Sequence, residues 1–291
     1  MNFARAKYTI LISAATFLLG LGGGAALSCI GTSSDTKDTK PAPPAYAFET
    51  KIAEEGTRCI QALPPICRAA IISSRFGLCF TPTGSTAYDY LSNYSPEEKV
   101  QYYGVRNAAQ LVDYEGKVHN FFDVLRMRDK DGNENHQLWI KAMQCIGASS
   151  DEAVFAPLQA DIKLLAQLAA KHHLSSMPKE FRQAWLAEQA HLFFSENDEP
   201  FYTGKQEPQF VPGTNHKFIV REVNDKAKYA DSKGKIQVFS EVYNKVKQAP
   251  RARVAWSYAS CCAAIVGKDA IFELYPKELK RLKKARAAAV K

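Results

Sequence analysis

Arg5 and Lys7 stand directly before an uncharged run from Tyr8 to Cys29, whose core reads TILISAATFLLGLGGGAAL. Nothing polar interrupts this run to give it a solvent face, so it is a poor helix for a globular core. A charged start followed by an apolar stretch is the layout of a secretory signal. The run is also long enough to cross a bilayer as a helix, although Gly22-Gly23-Gly24 weakens its end. Arg5 and Lys7 stay on the cytosolic side, which places the rest of the chain across the membrane. Three endings fit: a retained anchor, cleavage after Ala26-Leu27-Ser28, or lipidation of Cys29. The last context resembles a bacterial lipobox, with Ala26 where a larger aliphatic residue is usual.

Residues 31–47, GTSSDTKDTKPAPPAYA, are small, polar and proline-rich. They cannot bury a core and read as an extended tether. The chain then divides into a signal or anchor (1–29), a tether (30–47), a globular domain (48–275) and a basic tail (276–291). The domain is long enough to bury its own core. With 46% hydrophobic and 23% charged residues, the chain is neither a disordered polymer nor a polytopic membrane protein.

The formal net charge is +8, and most of it sits in one place. Lys277, Lys280, Arg281, Lys283, Lys284, Arg286 and Lys291 face only Glu278, so residues 277–291 hold +6. A near-neutral body with a basic tail is not a globally basic nucleic-acid binder. The tail reads as a helix after Pro276, with Leu279 and Leu282 as its few apolar residues. Lys280, Arg281, Lys283, Lys284 and Arg286 are its candidates for binding anionic lipid, a cell-envelope polymer or an acidic protein. Nucleic acid is not an expected ligand for an exported domain.

Seven cysteines are present, and setting Cys29 aside leaves six. In an exported protein, Cys59, Cys67, Cys79, Cys145, Cys261 and Cys262 are expected to form up to three disulfides. Adjacent Cys261 and Cys262 are expected to pair elsewhere rather than with each other. No C-x-x-C and no zinc-finger spacing exist, so no metal and no cofactor are expected.

The fold expected is α+β, predominantly helical with a small antiparallel sheet, preceded by the signal or anchor helix. Helices are predicted over 49–63, ended by Pro64-Pro65, over 66–74, and from Ser95-Pro96-Glu97-Glu98 to about 113. The Asp131-Gly132 pair predicts a β-hairpin over 124–140; an EF-hand frame there lacks its first and last ligands. Amphipathic helices at 157–173 and 178–194 read as a helical hairpin. Residues 195–216 read as an irregular loop, 216–223 as a strand, and 236–246 as helical. The apolar stretch 253–267 fits strand or helix. No internal repeat is evident.

Glu188 and His191 carry the most chemical interest. Helical spacing puts Glu188 among Phe181, Ala184, Trp185 and Leu192, on an apolar face, with His191 one turn on. A buried carboxylate has a raised pKa and can act as a general acid or base beside a histidine. Against this, no nucleophile elbow, P-loop, dinucleotide fingerprint or zinc-protease motif occurs. Three functions follow as expectations: an envelope-anchored binding or assembly module, an exported enzyme, for instance a hydrolase, using Glu188 and His191, and an anionic-surface binder acting through the tail.

Overall fold

The computed structural model describes residues 45–83, 87–90, 103–130, 133–195, 201–210 and 217–290. The Tyr8–Cys29 run, Cys29 and most of the expected tether lie outside these residues. Among the described residues the protein is mostly helical, with four two-stranded antiparallel ribbons. No helix among them is long and apolar enough to cross a membrane.

The element order repeats. α1 (Ala45–Ala62) and α2 (Pro65–Arg75) lead into β1 (Tyr88–Tyr90), β2 (Tyr103–Val105), β3 (Gln110–Val112) and β4 (Val118–Asn120). α3 (Phe121–Lys130), α4 (Asn133–Ala148) and α5 (Asp151–Phe155) complete the first unit. After a single 3-10 turn, α6 (Gln159–Ser176) and α7 (Lys179–Gln189) begin the same series again. It continues through β5 (Tyr202–Phe210), β6 (Lys217–Val223), β7 (Lys228–Ala230) and β8 (Ile236–Val238). α8 (Phe239–Gln248), α9 (Pro250–Val266) and α10 (Lys268–Phe272) close the second unit, and α11 (Pro276–Ala289) follows it.

The correspondence extends to single hydrogen bonds. Phe80 and Gln110 exchange backbone bonds of 3.0 and 2.7 Å; Phe194 and Lys228 exchange bonds of 2.9 and 3.0 Å. Phe121 N donates to Ala109 O at 2.9 Å, as Phe239 N does to Ala227 O. Both short ribbons turn on D-x-x-G-K. Asp113 N donates to Lys117 O and Asp231 N to Lys235 O, each at 2.9 Å. Asp113 Oδ1 accepts from Glu115 N (2.9 Å) and Lys117 N (2.8 Å); Asp231 Oδ1 accepts from Lys233 N (2.8 Å) and Lys235 N (3.0 Å). Gly116 (φ 81°) and Gly234 (φ 85°) supply the left-handed corner that L side chains avoid. The chain is therefore a tandem duplication, contrary to the absence of a repeat read from the sequence.

Several other expectations are corrected. Tyr103–Val105 and Gln110–Val112 are strands, not the end of a helix begun at Ser95, whose start lies outside the described residues. The expected hairpin at 124–140 is instead α3 followed by α4. Phe121, Val124 and Leu125 share a buried helical stripe, which overrides the turn signal of Asp131-Gly132. Part of the expected 195–216 loop is strand β5, and the predicted helix at 236 starts three residues later, after β8. α6 and α7 are not each other's main partners: α6 packs on α9, and α7 on α8 and α11.

The units are joined by their first helices. α6 packs on α2 and β3 of the first unit, and α11 packs on α7 and β7 of the second. α11 thus takes the place of a third first helix. Its buried Leu279 and Leu282 stand where α6 has buried Ile162 and Leu165. The expected tail is a docked helix.

All six described cysteines are buried and unbonded, so the expected bridges are not formed. They serve as small core residues. Cys59 and Cys145 lie with Glu55 and Lys141 between α1 and α4. Cys79, Cys261 and Cys262 all act on the Tyr258 hydroxyl, whose affinity for its proton is raised first by burial.

Two predictions follow from this packing. Asp113→Ala and Asp231→Ala each strip two turn N–H groups of their acceptor. Each should cost about 1–3 kcal/mol in urea unfolding, Asp113→Ala the more, since Asp113 Oδ2 also pairs with His119 Nε2 at 2.6 Å whereas Asp231 Oδ2 meets Gln237 Nε2 at 3.4 Å. A Cβ on Gly56 would meet Cys145 Cβ at 2.8 Å and Val154 Cγ1 at 3.3 Å. Neither atom can swing away, so Gly56→Leu should lower stability by at least about 1–3 kcal/mol by the same measurement.

Candidate functional site

The region around Glu188 is built by the end of α7. Pro178 (φ −50°, ψ 143°) starts this helix as Pro64 (φ −50°, ψ 145°) starts α2. At its end, His191 N donates to Glu188 O at 3.1 Å and Leu192 N to Ala187 O at 2.9 Å. These two bonds form a Schellman motif, with His191 in the left-handed position at φ 52°. The first unit places Gly77 (φ 68°) at the same point, and Leu78 N donates to Ser73 O at 2.9 Å. The three-residue spacing of Glu188 and His191 is thus the spacing of a helix cap.

The side chains take different directions. His191 Nδ1 hydrogen-bonds the Tyr202 hydroxyl at 2.9 Å. Glu188 Oε2 is enclosed without a hydrogen-bond partner. Burial raises the Glu188 pKa to about 7, against a smaller opposing effect from the Gln189 side chain. Glu188 in turn raises the Tyr243 hydroxyl of α8, after the larger effect of that residue's own burial. Lys247 Nζ lies 4.7 Å from the centroid of the Tyr243 ring. The structure brings Glu188 and His191 together through the backbone, and the carboxylate faces α8.

Glu188 is specific to the second unit. Ser74 takes its place in the first, and Ser74 Oγ donates to Ile71 O at 2.8 Å. Where the first unit has a hydroxyl satisfied on its own helix, the second has a carboxylate with one oxygen, Oε2, unpartnered. The arrangement can hold and release a proton near neutral pH.

A second cluster lies where the two units meet. His173 is buried and stacks on Tyr258 with centroids 5.1 Å apart, while Phe80 meets it edge-on at 4.7 Å. Burial, then the neighbouring His172, lowers the His173 pKa to about 3, so its ring stays neutral. No group of His, Cys, Asp and Glu among the described residues could hold a metal ion. Burial pushes the Cys79 and Cys261 thiols up to about 12, which removes them as nucleophiles. Vicinal Cys261-Cys262 gains no reactivity from being adjacent.

The five tail residues singled out from sequence divide into two groups. Lys280, Arg281, Lys283 and Lys284 are exposed on α11. Arg286 is partly buried, and its Nε donates to Phe193 O at 3.3 Å. Arg286 therefore secures the helix, and the other four present charge to solvent.

No protein-family model, no curated protein and no solved structure matches this chain.

The Glu188 proton gives a pH test with a defined sign. The folded-state pKa lies above the ordinary value of 4.5. The folded chain therefore holds this proton more tightly than the unfolded chain. The group's contribution to stability falls as pH rises from about 4.5 to 7 and is level beyond. Glu188→Gln should unfold later than the wild-type chain in urea at pH 8, by up to about 3 kcal/mol, with the gap closing by pH 4.5. A variant less stable at both pH values would show that the carboxylate is a structural partner.

Proposed function

We propose that this protein is a membrane-held binding and assembly module of the cell envelope. The observation that carries the reading is what the two units share. They have in common the D-x-x-G-K turns, the proline helix starts, the buried phenylalanines at 121 and 239, and the helix-end geometry. They do not share an ionisable constellation: Glu188 corresponds to Ser74, and His191 to Gly77. A duplicated scaffold without duplicated chemistry suits a protein that presents surface. The apolar run before Cys29 and the proline-rich segment after it supply the anchor or signal and the reach of such a module. Its packed core includes the six buried, unbonded cysteines.

A second reading is favoured by one observation, the enclosed and unpartnered Glu188 Oε2. An exported hydrolase would use Glu188 as a general acid or base, with His191 positioned by Tyr202. The module reading needs no turnover, so a Glu188→Gln chain that keeps its fold and its partners supports it.

The topology is tested by the intact mass and protease accessibility of the protein in its native host. The expected result is a chain in the membrane fraction whose domain is cut by protease added from outside the cytosolic compartment. A lipid increment on Cys29 would define the anchor. A full-length chain in the cytosolic fraction, protected from that protease, would overturn the reading.

A further inference from the structure

The duplication supplies an internal control for surface charge, because each position of the second unit can be set against its counterpart in the first. At the turn between β3 and β4, Glu115 pairs with Lys117 at 2.6 Å, so that corner is neutral. The matching turn between β7 and β8 carries exposed Lys233 and Lys235. Asp231 is engaged by the backbone of its own turn there. The first helices diverge in the same direction. Lys163, Leu164, Ala166 and Gln167 of α6 correspond to Lys280, Arg281, Lys283 and Lys284 of α11. Both changes place cations at the same end of the stack.

The two sets of cations adjoin. Gln183 Nε2 donates to Ser232 Oγ at 2.7 Å and to Glu278 Oε1 at 3.1 Å, so the turn and the start of α11 share one side-chain partner. Arg182 Nε also donates to Glu278 at 3.0 Å. The single acid of α11 is thereby spent on the helix's own docking. Lys277, Lys280, Arg281, Lys283, Lys284, Lys233 and Lys235 are left exposed around it.

We propose that this basic end, α11 with the β7–β8 turn, is a docking surface for an anionic lipid bilayer. The proposal rests on the membrane-held reading and names a second contact with the same membrane. The surface is a row of point charges, with no exposed aromatic side chain on α11 for bases to stack upon, so a lipid headgroup layer fits it better than a single-stranded nucleic acid. Leu279 and Leu282 are buried against the second unit, so the leucines of α11 are not available to insert. The association is electrostatic and reversible by salt.

The test is flotation of the full chain with vesicles of phosphatidylcholine, alone or with roughly one third phosphatidylglycerol. Binding to neutral vesicles reports the N-terminal segment, and the gain on adding anionic lipid reports the basic end. The proposal expects a clear gain that disappears when salt rises from about 0.05 M to about 0.5 M. Replacing Lys280, Lys283 and Lys284 together by Gln should weaken the gain ~100-fold, and replacing them by Arg should preserve it. These positions are exposed, and an unchanged urea midpoint verifies that the variants fold. If neutral vesicles fail to bind while the anionic gain persists, the anchor reading falls and this one stands. An absent gain, or a gain untouched by the Gln variant, overturns it. So does tighter capture by a single-stranded oligonucleotide that the Gln variant abolishes while vesicle binding is unchanged.

Discussion

A ribbon of two three-residue strands cannot hold itself together in water, and the fold is organised around that constraint. Each short ribbon is fixed at its turn by an aspartate that accepts two backbone N–H groups, and at its base by bonds from a phenylalanine N–H and from a preceding strand-like residue. That leaves one side to be covered by a helix. In the first unit the cover is α6, which belongs to the second unit; in the second unit it is α11. A two-unit chain therefore needs a third first helix to be complete, which explains why α11 is docked and why its two leucines are buried. At the other end the sequence is adjusted in the opposite sense. The α6 positions Leu165 and Ala169 correspond in α1 to Lys51 and Glu55, and Glu55 pairs with Arg58 and Lys141. Charges at those two positions are unsuited to covering another ribbon.

The same comparison separates scaffold from novelty. Schellman geometry needs a left-handed residue after α2 and α7, and glycine is the inexpensive solution. The second unit uses His191 and anchors its ring on Tyr202. Replacing a self-satisfied serine by Glu188 costs stability whenever the carboxylate is charged. Two departures within four residues, both unfavourable to the bare scaffold, mark the end of α7 as the place where the second unit does something the first does not. The junction cluster of Phe80, His173 and Tyr258 differs in kind. Its histidine is held neutral and packed between rings, and acts as an aromatic wedge between units.

Much of the helix content was legible because its signals are local. Pro64-Pro65, Pro178 and Pro276 mark helix starts, and the buried stripes of α6, α7 and α11 follow a helical period. The ribbons were not legible, since three residues are too few for an alternating pattern to rise above chance. Asp131-Gly132, outside the described residues, carried a stronger generic turn signal than D-Y-E-G-K, yet helices flank it, while the latter forms a hairpin whose aspartate captures two turn amides. The duplication was hidden for a related reason. The units agree at Asp, Gly, Lys and the following Phe, 118 residues apart, and at scattered positions such as Pro64/Pro178 and Phe80/Phe194, 114 apart, so no single offset aligns them and most helix residues differ. A search for D-x-x-G-K followed by a buried Phe would have exposed it. Glu188 was legible as a carboxylate on an apolar face; its pairing with His191 was not, because helical geometry was extended past the residue where the helix ends.

A helix that completes a stack must be apolar on the side it docks and polar on the other, but nothing in that requirement sets the sign of the charge. Mixed lysine and glutamate would cap α11 as well and would repel less. Instead the outer side of α11 carries cations alone, and the adjoining turn has lost the glutamate that its counterpart keeps. Gathering like charges on one helix costs stability through self-repulsion. Among the described residues the one acid of α11 does not offset this cost, because it is bound to Arg182 and Gln183. An arrangement that capping does not require is what the proposed docking on an anionic bilayer would use.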